Sequence, residues 1–374
     1  MNAVSSARSV MLAAGGTGGH LFPAFALAQE LGRRNIAVDL VTDMRGDRYG
    51  SDFPARAVYR VPSATLAGRS IPGAARTGWM LLRGIVAAFR LLGEVRPAAV
   101  IGFGGYPAFP PLVAAKLRRI PTAVHEQNAV LGRANRLLAP RVDAIATSYE
   151  PTKHLEGAAL ARSRLTGNPV RDLVTAWSAE AYQPPAPGGP LSLLVFGGSQ
   201  GARFFSEVMP PALALLPPHL RGVLFVVQQC REEDLAGVEN AYRAAGVRSH
   251  LATFFPNLPE EMAKAHLVIG RAGASTVAEL TVIGRPAILV PLPHSIDNDQ
   301  LNNARRLAES GAAWCIEQKE LTPEKLAGAI ARLAEAPEAL AQAATAAKGQ
   351  GRPDAVERLA DLVEELVGRG RKSA

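Results

Sequence analysis

Apolar positions in this chain come in short unbroken runs separated by longer amphipathic stretches. In the first half the runs are VMLAA (10–14), IAVDLVT (36–42), AAVIGF (98–103), TAVHE (122–126) and AIAT (144–147). The second half repeats the habit with LSLLVF (191–196), GVLFVVQ (222–228), HLVIG (266–270) and PAILVPL (286–292). Such runs are too short for buried helices and rich in Val and Ile, so they predict strands of parallel sheets covered on both faces. Their alternation with helical stretches predicts two lobes of doubly wound βαβ units. Between the halves, Gln183-Pro-Pro-Ala-Pro-Gly-Gly-Pro190 has no periodicity and reads as loop; the hinge falls there or just earlier, near Thr166–Arg171. Pro353 opens a last helix with Val356, Leu359, Val363 and Leu366 on one face.

Two runs end in the same turn: Gly15-Gly-Thr-Gly-Gly-His20 and Gly197-Gly-Ser-Gln-Gly-Ala-Arg203. A strand that passes through such a turn into a helix leaves several backbone N–H groups unpaired and aimed at one point, an anion site. The first copy fails the dinucleotide fingerprint, because Leu21 stands where glycine or alanine is needed and the acidic ribose partner is weak. Neither copy continues into Gly-Lys-(Ser/Thr), so neither is a Walker loop. His20 follows the first turn at a helix start, where the dipole disfavours imidazolium and leaves a ring able to accept a proton, or simply to cap or pack. Ser199 in the second turn adds a hydroxyl to the free N–H groups, which suits a pyrophosphate; a tight turn without ligand is the other reading.

A third small-residue turn, Arg271-Ala-Gly-Ala-Ser-Thr-Val-Ala-Glu279, follows the run HLVIG, and Glu279 stands where a carboxylate would meet a ribose diol. The loop Pro291–Gln300 leaves the next strand and is polar enough to read sugar hydroxyls. Its Asp297-Asn-Asp299 is formally a D-x-D triplet, a short pattern that arises often by chance. Without a further carboxylate cluster, the charge of a leaving group falls to helix ends and arginine.

Arg69, Arg76, Arg83 and Arg90 recur every seven residues, and 73–92 predicts one helix. Seven residues make nearly two turns, so the last three arginines form a stripe beside Trp79 and Val86, with Met80, Leu82 and Phe89 further round. A basic stripe flanking large apolar side chains suits anionic lipid; the alternative is a helix packed on the sheet with its arginines in water.

Length favours two domains. A net charge of +8 and a pI near 9.8 point to an anionic partner. The 2 cysteines, Cys230 and Cys315, form no metal pattern and fit a reducing compartment. The first residues, MNAVSSARSV, lack the long apolar stretch of a signal peptide, and no run is long enough to cross a membrane. A cytoplasmic protein is expected.

The segments GGTGGHLFPA, GFGGYP, HEQNAVLGRANR, TGNPVR, GGSQGAR, RAGASTVAE and DNDQ occur in this order over nearly the whole chain. Together they resemble the membrane-associated N-acetylglucosaminyltransferases of peptidoglycan synthesis, a branch of the GT-B glycosyltransferases. The resemblance implies an α/β fold of two Rossmann-like, doubly wound parallel-sheet lobes facing a central cleft. It implies an N-terminal acceptor- and membrane-binding lobe over 1–167 and a donor-binding lobe over 168–350, with a C-terminal helix over 351–374 packing back on the first. The implied reaction is inverting transfer of N-acetylglucosamine from UDP-GlcNAc to the 4-hydroxyl of the muramyl sugar of undecaprenyl-pyrophosphoryl-MurNAc-pentapeptide. No cofactor and no catalytic metal are implied. The implied location is peripheral, on the inner leaflet at the cytoplasmic face of the membrane, with no nucleic-acid partner.

Position by position, the resemblance makes His20 the candidate base. Donor contacts fall to Thr17, Gly18, Gly19, Asn128, Arg171, Ser199, Phe255 (through its main chain), Ala274, Ser275, Thr276, Val277, Ala278, Glu279 and Gln300. Acceptor contacts fall to Gly104, Gly105, Tyr106 and Glu126. Arg76, Trp79, Arg83, Val86 and Arg90 face the membrane. The chain departs from the common pattern at Pro107-Ala-Phe109, Gln228-Gln-Cys-Arg231 and Asp299. Rival readings are another GT-B enzyme such as a diacylglycerol glycosyltransferase, a UDP-GlcNAc 2-epimerase, an NAD-dependent oxidoreductase, which the failed fingerprint disfavours, and a non-catalytic UDP-sugar sensor, which gives no reason for His20.

Overall fold

The computed structural model describes residues 9–15, 18–43, 53–64 and 71–372, with the backbone alone for 71–75, 199–202 and 370–372. The chain divides into two compact units, Met1–Arg171 with Asp354–Ala374, and Asp172–Pro353. The first is built on β1 (Val10–Ala13), β2 (Val38–Thr42), β3 (Ala57–Arg60), β4 (Ala99–Gly102), β5 (Thr122–Glu126), β6 (Ala144–Thr147) and β7 (Ser163–Leu165), in the order β3-β2-β1-β4-β5-β6-β7. The second is built on β8 (Leu191–Phe196), β9 (Leu224–Gln229), β10 (Arg248–Ala252), β11 (Leu267–Gly270), β12 (Ala287–Leu289) and β13 (Ala313–Cys315), in the order β10-β9-β8-β11-β12-β13. All neighbours pair in parallel, as in Met11 opposite Asp39 and Leu193 opposite Val226. Each sheet therefore reverses its order once, between β1 and β4 and between β8 and β11. At such a reversal the loops leaving adjacent strands diverge to opposite faces and open a crevice at the strands' carboxyl ends.

The nine apolar runs are the nine interior strands of the two sheets. Among the described residues four strands carry no such run, β3, β7, β10 and β13, and these are the four sheet edges. An interior strand is covered above and below and reads as continuous apolar sequence. β3 instead alternates half-buried and exposed positions, and β10 does much the same.

The two faces of the first sheet build separate cores. Leu12, Leu40 and Ile101 meet Leu27 and Leu31 of the Gly18–Arg33 helix on one face. Met11, Val41 and Val100 meet Ala88, Leu92 and Leu112 on the other. Adjacent residues such as Met11 and Leu12 separate because strand side chains alternate with a period of two.

The last helix begins at Ala355, just past Pro353, and runs to Lys372. Leu359, Leu362, Val363 and Leu366 bury against the Gly18–Arg33 helix in the first unit. Full burial of each such side chain stabilises by about 1.5–3 kcal/mol. Its rim pairs, Arg34 to Asp361 at 2.6 Å and Arg164 to Glu365 at 2.7 Å, are partly exposed and add less.

The arginine-striped segment forms one helix, Ile71–Val95, longer at both ends than its pattern predicts. It packs on the Gly105–Leu117 helix, with Thr77, Gly84, Ala88 and Leu92 turned inward. Gly84 permits the approach: a Cβ there would lie 2.1 Å from the Pro62 carbonyl oxygen.

Candidate functional site

In the first unit the loops leaving β1, β4 and β5 meet at the reversal. Thr17 lies outside the described residues, and the helix starts at Gly18, which places His20 in its first turn. The β4 loop carries Gly104 at φ +84° and Gly105 at φ +67°, both in the left-handed region. Tyr106 follows in the first turn of the Gly105–Leu117 helix, whose start has no side-chain cap. A side chain is disfavoured at Gly105 twice over, by the left-handed backbone and because its Cβ would stand 3.2 Å from His20 Cδ2 and 3.3 Å from His20 Nε2. The ring of His20 thus lies directly on the backbone of the β4 loop.

The β5 loop supports that ring from the other side. Gln127 Oε1 is 3.0 Å from His20 Nδ1, and Gln127 Nε2 is 3.0 Å from the Phe103 carbonyl oxygen and from His125 Nδ1. His125 has no exposed surface, and its Nε2 is 2.9 Å from the Gly167 carbonyl oxygen. Burial pushes the His125 imidazole down to about 4, so the ring is neutral.

The carboxylate of Glu126 is buried and encircled by donors. Oε1 accepts from the Asn128 amide at 3.0 Å and from Asn128 Nδ2 at 3.3 Å; Oε2 accepts from the Gly132 amide and from Asn135 Nδ2, both at 2.8 Å. The resemblance implies an acceptor contact for Glu126. In the structure its carboxylate ties Asn128, Gly132 and Asn135 of its own loop together. The Arg171 guanidinium sits 4.0 Å above the Phe22 ring, and the same ring covers Gly18. Arg171 is thereby brought to the glycine turn that bears His20.

The sequence reading missed Gln127, His125 and Asn135 as functional residues. Its available signal was the abrupt change from the apolar strand Thr122–Val124 to four consecutive hydrogen-bonding residues, all but Asn128 buried.

In the second unit β8 ends at Phe196, Gly197 caps the next helix, and Gly198 at φ +67° starts it; the helix runs to Ala214. A Cβ on Gly198 would meet nothing within 4 Å, so glycine is needed for the backbone angle alone. The Ser199 side chain lies outside the described residues. β11 leads through Arg271 to Gly273, the cap of the Ala274–Ile283 helix. Along it Ala274, Val277 and Glu279 are buried, while Ser275, Thr276 and Ala278 are half-buried. The Ser275 hydroxyl is buried without a hydrogen-bond partner, a donor available in the helix's first turn. These two helix starts, neither with a side-chain cap, leave β8 and β11, the strands on either side of the reversal, and the positive ends of their dipoles favour an anion.

Gln300 Oε1 accepts from the Leu292 amide at 3.0 Å, which pins the Pro291–Gln300 loop through the side-chain oxygen and leaves that oxygen's neighbour, the side-chain NH2, for other partners. Asp299 Oδ1 accepts from the Gln300 amide at 2.6 Å. Arg271 is buried and donates to the Val290 and Pro291 carbonyls at 3.1 and 3.3 Å and to Gln318 Oε1 at 2.7 Å. Burial pushes its guanidinium down to about 10. The Phe255 ring is buried edge-on to His250 at 5.4 Å. Gln228 is buried and accepts from the Tyr242 hydroxyl, a structural use of that position. Among the described residues no group of three or more His, Cys, Asp and Glu is placed to hold a metal ion.

On the Ile71–Val95 helix Arg76, Trp79, Arg83, Val86 and Arg90 are all exposed, together with Leu82 and Phe89. Trp79 retains 62 % of its surface. Arg118, from the neighbouring helix end, stacks 3.9 Å over Phe89. Large apolar and cationic side chains thus share one uncovered face. No helix among the described residues is long and apolar enough to cross a membrane.

Residues 10–147 match the model of the glycosyltransferase family 28 N-terminal domain, and residues 192–359 match that of its C-terminal domain. A Methylobacterium nodulans protein named UDP-N-acetylglucosamine–N-acetylmuramyl-(pentapeptide) pyrophosphoryl-undecaprenol N-acetylglucosamine transferase is 54 % identical over 96 % of this chain and 96 % of its own. The crystal structure of Acinetobacter baumannii MurG superposes with a TM-score of 0.77 at 29 % identity, covering 96 % of this chain and 99 % of that one. The Neisseria meningitidis UDP-GlcNAc 2-epimerase bound to UDP-GlcNAc shares the fold, with a TM-score of 0.66 at 14 % identity over 96 % of this chain and 100 % of that one.

Proposed function

The chain belongs to glycosyltransferase family 28, and from that premise we propose that it transfers N-acetylglucosamine from UDP-GlcNAc to the 4-hydroxyl of lipid-linked MurNAc-pentapeptide. One observation carries the substrate assignment: near-complete, end-to-end identity above one half with a transferase named for that donor and that acceptor. The epimerase reading rests on fold alone, and it leaves the first unit's open His20 turn and its cationic apolar face without a task.

The donor's diphosphate is assigned to the uncapped helix starts at Gly198 and Ala274, with Arg171 neutralising charge as UDP departs. Glu279 is assigned to the ribose, the Phe255 main chain to the uracil and Gln300 to the sugar hydroxyls. His20 takes the proton from the acceptor hydroxyl through its Nε2 as that oxygen attacks the anomeric carbon and configuration inverts. The glycine loop Gly104–Gly105 clears the space in which that hydroxyl approaches. The Arg76–Arg90 face of the Ile71–Val95 helix holds the first unit on the anionic inner leaflet, where the polyprenyl acceptor resides.

The direct test supplies radiolabelled UDP-GlcNAc with the lipid-linked muramyl-pentapeptide, with diacylglycerol, or with no acceptor, each with and without EDTA. Label moving to the muramyl lipid alone, undiminished by EDTA, is the expected result. Label moving to diacylglycerol, or conversion of the free nucleotide sugar without acceptor, overturns the assignment.

A further inference from the structure

We infer that Gln127 is a positioning residue that selects the Nδ1–H tautomer of His20 and so presents Nε2 as the accepting nitrogen. The chain of donors and acceptors admits one reading. The Gly167 carbonyl can only accept, so His125 Nε2, 2.9 Å away, carries the hydrogen. The neutral His125 ring then offers a lone pair at Nδ1, 3.0 Å from the Gln127 side chain.

Two carbonyl oxygens, of Phe103 and of His125, also lie 3.0 Å from the same Gln127 atom. Three acceptors converge there, so that atom must be the amide nitrogen; the flipped amide would set an oxygen against all three. The Gln127 oxygen is therefore the atom facing His20 Nδ1 at 3.0 Å, and His20 must donate to it. A neutral imidazole that donates from Nδ1 has its lone pair on Nε2. That nitrogen lies beside Gly105, where a Cβ would stand only 3.3 Å from it.

Glutamine does here what a carboxylate does in a serine-protease triad, with one difference. It holds tautomer and orientation without placing a negative charge beside the ring. Burial of His125 protects the arrangement, because a doubly protonated ring would turn a hydrogen toward the Gln127 amide.

The tautomer claim concerns only the hydrogen-bond chain; its catalytic consequence rests on the reading of His20 as base. Two-bond proton–nitrogen correlation spectra of protein labelled with ¹⁵N-histidine report the protonated nitrogen, and the His20→Gln variant assigns the His20 signals. The wild type is expected to show His20 protonated at Nδ1 and bare at Nε2 at neutral pH. A spectrum with His20 protonated at Nε2 overturns the inference, and this measurement needs no further variant to fold.

Gln127→Met removes the acceptor. It is expected to move the His20 tautomer population roughly twofold to tenfold toward Nε2–H and to lower kcat by roughly tenfold. The Kd for UDP should stay within about twofold, below the effect of one lost hydrogen bond. An unchanged His20 spectrum in Gln127→Met overturns the role of Gln127. If His20→Gln retains its kcat while the wild-type spectrum is as expected, the base reading fails and the tautomer assignment stands.

Discussion

Gly105→Ala separates the backbone demand of the β4 loop from its demand for space beside His20. Gly105 has φ +67°, and an alanine held in that left-handed conformation costs about 1–2 kcal/mol. The added methyl would stand 3.2 Å from His20 Cδ2 and 3.3 Å from Nε2, closer than ordinary contact. The ring is tied at Nδ1 to Gln127, so it relieves the contact only by tilting away from its hydrogen bond. The methyl also occupies the approach to Nε2. A displacement of about 1 Å at a reacting group costs about 10²-fold, so kcat should fall by that order.

Gly157→Ala is the control. Gly157 has φ +56° and open space around a Cβ, so it should lose the same stability and keep its kcat. Urea unfolding compares the two variants, and lipid-acceptor transfer gives kcat. If Gly105→Ala lost stability as expected yet kept kcat within about threefold, far less than general-base catalysis contributes, the acceptor hydroxyl would not approach His20 from the glycine side.

Further outcomes follow from other parts of the structure. His125 holds its folded value at about 4 against an ordinary 6.5, so between these values the unfolded chain binds a proton that the folded chain refuses. The contribution is intact above pH 6.5 and is lost as pH falls toward 4, at up to about 1.4 kcal/mol per pH unit; urea midpoints of wild type and His125→Phe across that window should converge as pH falls. Arg271→Lys keeps the charge but not the fork that spans the Val290 and Pro291 carbonyls and Gln318. It should cost about 1–3 kcal/mol and raise KM for UDP-GlcNAc, with an unchanged KM counting against a role for that loop in donor binding. Replacing Arg76, Arg83 and Arg90 together by Gln should weaken sedimentation with phosphatidylglycerol vesicles by about 10²-fold, at about 1 kcal/mol per arginine, and leave phosphatidylcholine vesicles unaffected. Equal binding of variant and wild type to the anionic vesicles would show that this face does not meet the membrane.

What was legible in the sequence divides along physical lines. Interior strands announce themselves because covering both faces demands continuous apolar sequence, and all nine were readable. Edge strands such as Arg248–Ala252 have one side in water and borrow their pairing from a neighbour, which local pattern does not record. Glycine turns were legible because few residues tolerate the backbone of Gly104, Gly105 or Gly198. The support behind His20 was not legible. Gln127 meets His20, with His125 behind it, only because β5 lies next to β4, which lies next to β1, a consequence of sheet order and not of spacing. Glu126 shows the converse hazard. A charged residue in a motif reads as a ligand contact, and its burial with four donors from its own loop, which the sequence does not record, gives it a structural task as well.

The central claim is that His20 removes the proton from the acceptor hydroxyl. The most direct measurement is kcat for transfer from UDP-GlcNAc to the lipid-linked muramyl-pentapeptide by His20→Ala, alongside the Kd for UDP. Loss of kcat by about 10²–10⁴-fold with UDP binding intact is the predicted result. A kcat within about threefold of wild type, well short of what such a base contributes, would contradict it.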